Sequence, residues 1–306
     1  RNSLLELARS EARKLIHNDP QLMAVVRDDQ HAGELDQKWF ELVNKVANQV
    51  LVHFGKHIFE RLVGAQLFDI FHSVGSAGAL YAILSPYFVS FSHFANLRRS
   101  SGDIMRQYAL STDAAHLHNT FSPPRLAHFT DTFHEVNGVA KGLQQHLRHA
   151  DELGKDYSIV TCSAEKHPCQ RGVFQFEPVG ALSLPEYREI KILTPPFLQM
   201  LNFCYEQRFT HIHISTPGPI GLAALGIARI LKLPVSGTYH TAFPQYARAL
   251  TDDGFLEELS WQYMTWFYSQ LDSIYAPSQA TANELLERGI RQESVRVYPR
   301  GVDIQR

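Results

Sequence analysis

His240 closes the stretch Leu233-Pro234-Val235-Ser236-Gly237-Thr238-Tyr239-His240 and is followed at once by Thr241, Phe243 and Tyr246. Imidazole donates and accepts hydrogen bonds and titrates near neutrality, so a histidine at the mouth of a parallel strand suits a hydroxyl-rich ligand such as a sugar. Tyr239, Phe243 and Tyr246 would stand beside it as flat apolar walls. A buried structural histidine is the plainer alternative, set against the tendency of open α/β sheets to meet ligands at strand carboxyl ends.

A second candidate is Asn137-Gly138-Val139, where the short apolar run Leu126-Ala127-His128-Phe129 gives way to a polar turn and then to Val139, Leu143 and Leu147 at helical spacing. A strand feeding a helix through such a turn brings backbone N–H groups to a helix N-terminus, where phosphate or carboxylate is favoured. Gly138 lacks a Cβ, so the backbone there can take positive φ and a ligand can come close. An ordinary strand-to-helix turn explains the same residues equally well. The loop Thr216-Pro217-Gly218-Pro219-Ile220-Gly221 after His211-Ile212-His213-Ile214 repeats the arrangement, offering another helix N-terminus. His211 and His213 share one strand face, and His53 and His57 would share one helix face, but neither pair has an evident third ligand, so no metal site is expected.

These residues need elements to hold them. From Leu126 onward, apolar strand-like runs at Tyr157 to Cys162, Ile190 to Leu193, His211 to Ser215, Val235 to Tyr239, Ser273 to Ala276 and Val295 to Tyr298 alternate with helical patterns. That alternation predicts a doubly wound, mostly parallel, Rossmann-like sheet covered by helices. Ser278 is placed to cap a helix that ends before Gly289. Residues 1–120 read instead as a helical domain, with Phe40, Val43, Val46 and Val50 at helical spacing, and Pro123-Pro124 marks the junction to an α/β domain over 126–306. Ile70 to Leu97 carries no charged residue and is long enough to span a bilayer, but Gly75, Gly78, Pro86 and several serines favour two buried helices, with membrane-surface contact as the second choice. Arg98, Arg99 and Arg106 follow as a solvated face, or as contacts to anionic lipid.

At 306 residues, 44% hydrophobic and 20% charged, the chain has the balance of a soluble protein with two domains of ordinary size. A formal net charge of -2 offers no basic field for a nucleic acid partner. Cys162, Cys169 and Cys204 are odd in number and lack metal-type spacing, which fits a reducing cytoplasm. The chain opens on Arg1 without a signal peptide and halts after a strand-like stretch, and we expect it to be part of a longer protein.

Four motifs then occur in one order: Thr130-Asp131-Thr132 with Val136-Asn137-Gly138-Val139; Ser236-Gly237-Thr238-Tyr239-His240-Thr241 with Phe243-Pro244 and Tyr246; Ala276-Pro277-Ser278; and Pro299-Arg300-Gly301-Val302-Asp303. Together they resemble the family 4 retaining glycosyltransferases, enzymes of two Rossmann-like lobes facing across a cleft (the GT-B arrangement), and within them the diacylglycerol glucosyl-, sulfoquinovosyl- and mannosyltransferases. The resemblance covers Leu126 to the C-terminus and implies the N-terminal, acceptor-side lobe, with the donor lobe absent and the fragment inactive alone. It implies that Asn137, Gly138 and Val139 lie against the donor diphosphate, that His240 contacts the transferred sugar, and that Tyr239, Thr241, Phe243 and Tyr246 shape the acceptor side. Arg300 and Asp303 would form the hinge to the second lobe. The expected co-substrate is a UDP- or GDP-sugar, with no cofactor and no metal, and the expected acceptor is a lipid or saccharide, met in the cytoplasm at the inner face of the membrane through peripheral contact. His134-Glu135 and Ala242 depart from the family pattern, both near the acceptor side. Two other readings stay open: a non-catalytic docking module with a degenerate scaffold, and a sugar-nucleotide epimerase or phosphorylase.

Overall fold

The computed structural model describes residues 32–63, 84–104, 123–183, 191–240 and 254–299, with a few isolated residues besides. Its contacts divide the chain into two compact units, residues 1–94 with 177–202, and residues 95–176 with 203–306.

The second unit carries a seven-stranded sheet. Its strands are β1 (Arg125–Thr130), β2 (Asp156–Cys162), β3 (Val173–Phe176), β6 (His211–Ile214), β7 (Val235–Thr238), β8 (Ser273–Ala276) and β9 (Val295–Val297), in the order β3-β2-β1-β6-β7-β8-β9. Every pairing among them is parallel. The chain winds outward from β1 to β3, then returns to start the other half at β6. The strand order therefore reverses between β1 and β6, which is where an open sheet leaves a crevice at its carboxyl edge.

Helices close both faces. One face receives α3 (Gly138–Glu152), whose Leu143 and Leu147, four residues apart, pack with Phe133 and Ile159 and the half-buried Val139, Tyr157 and Val173. The other face receives α5 (Pro219–Leu231) against β1 and β6. Ile220, Ala224, Ile227 and Ala228 of α5 are buried, as are Ile212, Ile214 and Ile274 of the strands. Each such isoleucine contributes about 1.5–3 kcal/mol by leaving water. Close approach of α5 depends on Gly221, where a Cβ would collide with the Thr216 carbonyl. Next to it lies α6 (Gly254–Ser269), whose Tyr268, with Leu271 just beyond its end, abuts Gly237. The helix α7 (Gln279–Glu287) begins with Ser278 Oγ accepting from the Thr281 N–H at 3.2 Å and packs on β8 and β9.

In the first unit, α1 (Ala32–Val63) buries Leu42, Val46, Ala47 and Val50 along one stripe. His53 and His57 fall within α1, but their side chains lie outside the described residues. Strands β4 (Gly180–Ser183) and β5 (Lys191–Thr194) pair antiparallel as a sheet of their own, with Gly180 packed against Val52. The strand expected over Ile190 to Leu193 therefore exists but does not join the parallel sheet. Its place at that edge is taken by β3, a Val-Phe-Gln-Phe segment too short to show a period.

The apolar run Ile70 to Leu97 also needs correction. Its first part lies outside the described residues, and its second belongs to a helix, α2, over 84–104. That helix is not a core helix, because Val89 is 66% exposed, Phe94 53% and Leu97 50%. Among the described residues, no helix is long and apolar enough to cross a membrane. Arg98 and Arg99 are not simply solvated. Arg98 Nη1 donates to the Tyr205 carbonyl at 2.9 Å, near the end of α4 (Phe197–Glu206), and its guanidinium stacks over the Tyr205 ring. Arg99 Nη1 donates to the Lys232 carbonyl at 2.8 Å, just past the end of α5. Cations at helix C-termini offset the partial negative charge there. Arg106 lies outside the described residues.

Candidate active site

The carboxyl edge of the sheet collects the residues singled out by type and spacing. The loop from β1 to α3 ends at Asn137, which is extended and caps α3, its Oδ1 accepting from the Ala140 N–H at 2.8 Å. Its Nδ2 donates to Glu135 Oε2 at 2.8 Å, so the cap is itself braced. Gly138 is exposed and is the first residue of α3, followed by half-buried Val139. Positive φ is not what Gly138 supplies, since the described glycines that adopt it are Gly154, Gly172 and Gly289. What remains is the bare backbone: first-turn N–H groups have no acceptor within their own helix.

The second helix N-terminus, at Pro219, is already occupied. Asp131 accepts from Thr216 Oγ1 at 2.8 Å through Oδ2 and from the Ile220 N–H at 3.2 Å through Oδ1. Gly218 lets the carboxylate this close, since a Cβ there would overlap it. Burial raises the Asp131 pKa to about 6 against the opposing pull of those two hydrogen bonds. The loop at Pro217–Gly221 therefore offers no open anion site, contrary to its reading from sequence; an internal carboxylate fills the role of a ligand.

On the far side of the crevice, β7 leads to Tyr239 and half-buried His240. Tyr239 is 2% exposed, with its N–H on the Tyr275 carbonyl at 2.9 Å and its ring against Tyr268. Its ring lies in the core, and burial pushes its pKa up to about 12. Phe243 is 51% exposed. Thr241, Tyr246, Arg300 and Asp303 lie outside the described residues.

Behind His240 runs a polar ladder that the motifs did not reveal. The Tyr157 hydroxyl meets His128 Nδ1 at 2.7 Å and His128 Nε2 meets Ser215 Oγ at 2.6 Å. The His128 ring lies 4.4 Å from that of His213, which it faces in register between β1 and β6. His213 in turn meets Ser236 Oγ through Nδ1 and Thr238 Oγ1 through Nε2, each at 2.8 Å. Burial, reinforced by His240, lowers the His213 pKa to about 3, and burial with His213 lowers that of His128. Both rings are therefore neutral, and each uses one nitrogen as donor and the other as acceptor. His211, the expected partner of His213, is exposed and bonds to Thr210, so the two do not converge. Among the described residues, no three His, Cys, Asp or Glu side chains could hold a metal ion.

A further link joins the loops after β1 and β2. The rings of His134 and His167 stack at 3.6 Å and 7°, and burial, then His167, lowers the His134 pKa. His134 belongs to the His134-Glu135 stretch that departs from the family pattern, and the structure gives it this bridging contact.

A parallel sheet with a reversal of strand order, covered by helices on both faces, defines an α/β lobe of Rossmann-like type. The chain belongs to Glycosyltransferase Family 4, whose profile matches residues 136–306, more than half of it. It is 25% identical over 182 residues to Alpha-monoglucosyldiacylglycerol synthase of Streptococcus pneumoniae, covering 59% of this chain and 41% of that protein. It is likewise 25% identical over 186 residues to Sulfoquinovosyl transferase SQD2 of Arabidopsis thaliana, covering 59% of this chain and 36% of that protein. The chain thus spans less than half the length of these relatives. Among solved structures, Anabaena Alr3699/HepE in complex with UDP and glucose aligns over 59% of this chain and 45% of that one, with a TM-score of 0.40 and 14% identity.

Proposed function

We propose that this chain is the acceptor-side lobe of a retaining glycosyltransferase that moves a hexose from a UDP- or GDP-sugar to a lipid or saccharide acceptor. The observation that carries the proposal is the placement of Asn137-Gly138-Val139 and His240 at the carboxyl edge of one sheet, on opposite sides of its strand-order reversal, within the family match. In this reading the first-turn N–H groups of α3 meet the donor diphosphate, where the helix dipole favours negative charge. His240 hydrogen-bonds the transferred sugar close to its anomeric carbon. The bond from that carbon to the diphosphate oxygen breaks through an oxocarbenium-like state, the acceptor hydroxyl forms the new bond on the same face, and its proton leaves with the departing phosphate. Stabilising the charge that develops on the leaving group is the largest contribution expected of the protein, and the scheme calls on no metal.

Phe243, Thr241 and Tyr246 belong to the acceptor side of the proposal, and Arg300 and Asp303 to its hinge. Action in the cytoplasm at the inner membrane face belongs to it as well. The test is turnover of UDP- and GDP-sugars by the full-length protein with diacylglycerol or saccharide acceptors, with the product anomer read by NMR. His240→Ala should lower kcat by about a hundredfold or more while the melting temperature holds. Unchanged turnover overturns the proposal, and an epimerised sugar nucleotide formed without acceptor replaces it with epimerase chemistry.

A further inference from the structure

At the amino edge of the sheet, opposite His240, Arg99, Arg229, Lys232 and Asp272 line an open cavity of about 500 Å³ together with Ala228, Leu233 and Pro234. Three cations meet one carboxylate there, in a chain whose overall formal charge is -2. Each arginine is fixed by a backbone contact. Arg99 Nη1 donates to the Lys232 carbonyl at 2.8 Å and Arg229 Nη2 to the Gln270 carbonyl at 2.6 Å. A guanidinium has five N–H donors, so one such bond orients the group without exhausting it. Lys232 holds the left-handed cap position of α5, φ 53°, with its own N–H on the Ala228 carbonyl. Asp272 is turned to the backbone, its Oδ2 accepting from the Val235 N–H at 2.8 Å. Among the described residues, no carboxylate pairs with Arg99, Arg229 or Lys232.

Capping accounts for the backbone bond of each arginine, Arg99 at the end of α5 and Arg229 at the end of α6, and the Leu233 N–H already serves the Ala228 carbonyl at 2.9 Å. It does not account for the remaining guanidinium donors and the Lys232 ammonium, which line one open surface depression. We propose that this cavity binds a phosphate-bearing anion, gripped by the two oriented guanidinium groups and the Lys232 ammonium. Planar guanidinium groups match phosphate oxygens in bidentate fashion, and the lysine adds a mobile charge. The site lies at the opposite edge from the proposed transfer centre, so its ligand regulates or anchors the protein and takes no part in the chemistry.

Binding to the full-length protein decides the matter without any activity assay. The probes are inorganic phosphate and pyrophosphate by calorimetry, and flotation with phosphatidylcholine vesicles with and without phosphatidylglycerol. Arg229→Gln/Lys232→Gln should weaken binding about tenfold or more, equivalent to about 1.4 kcal/mol, whereas Lys155→Gln on the exposed surface should leave it unchanged. Phosphate binding lost in the double variant identifies a free-phosphate site; flotation lost in the variant without phosphate binding identifies a lipid headgroup site. If the double variant fails to fold, Lys232→Gln alone keeps both backbone contacts and should still weaken binding several-fold. Absence of binding by every probe, or binding unaltered in the variants, overturns the proposal.

Discussion

Asp131 Oδ2 accepts a hydrogen bond from Thr216 Oγ1 at 2.8 Å, tying the loop after β1 to the loop after β6 across the reversal of strand order. Its other oxygen takes the Ile220 N–H of α5, so the crevice between the two halves of the sheet is spanned by a carboxylate of the chain itself. The Thr130–Gly138 loop is thereby held in place from below, and only its α3 end is left open to a ligand.

Asp131 titrates at about 6 in the folded chain against an ordinary 3.8. A raised carboxyl pKa means that the protonated form is favoured by folding; that stabilisation is complete below about 3.8 and is lost as pH rises through about 6. Asp131→Asn should therefore gain stability relative to the parent between pH 4.5 and pH 7.5, by about 2 kcal/mol. Urea unfolding at the two pH values measures this, and a difference that does not change with pH would refute the assignment.

His213 is held neutral by burial with its pKa near 3, far below the ordinary 6.5. A depressed histidine pKa stabilises the fold above about 6.5, and the contribution drains away as pH falls toward 3. The chain should lose stability on acidification from pH 6.5, and His213→Gln should make the slope shallower by about 1.4 kcal/mol per pH unit. Denaturation midpoints between pH 4 and 6.5 give the slope directly; equal slopes count against the ladder.

Gly221 lies where a Cβ would overlap the Thr216 backbone carbonyl. Gly221→Ala must push α5 off β6, at a cost of about 1–3 kcal/mol. Gly142→Ala has open space around the new methyl and provides the control. Melting temperatures should fall for the first and rise for the second, since alanine inside a helix is favoured over glycine by about 0.5–1 kcal/mol.

Asn137→Ala removes the cap that serves the Ala140 N–H. We expect a loss of about 1 kcal/mol in stability. On the proposed function, the KM for the sugar nucleotide should also rise, because a frayed first turn presents its N–H groups less well to phosphate. Equal KM values would argue that the donor does not meet this turn.

Much of the fold is legible along the chain because its causes are local. Asn137 and Ser278 cap helices by contacts three residues away, and the helix and strand periods that follow them are visible in any short window. The strand over residues 190–193 was equally visible as a strand, yet its partner was not: whether it joins the parallel sheet or pairs with Gly180–Ser183 depends on residues that its own pattern does not encode. Val173–Phe176 escaped because four residues show no period.

The candidate site divides in the same way. Its two poles, Asn137-Gly138 and His240, follow from turn chemistry and motif order. The Tyr157–His128–His213 ladder does not, since His128 reads as part of an apolar strand until register sets it opposite His213. Arg98 and Arg99 likewise read as a solvated face until folding brings helix ends to them.

The amino-acid sequence alone determined the alternation of strands and helices, the capped turns and the order of the family motifs, because each arises from neighbours within a few residues. Only the tertiary structure decided that Asp131 would fill the helix end at Ile220, that His128 and His213 would stay neutral, and that Arg99, Arg229 and Lys232 would line one cavity. Those outcomes depend on burial and on contacts between residues 85 or more apart in the cases of Asp131 and His128, and neither quantity exists until the chain has folded.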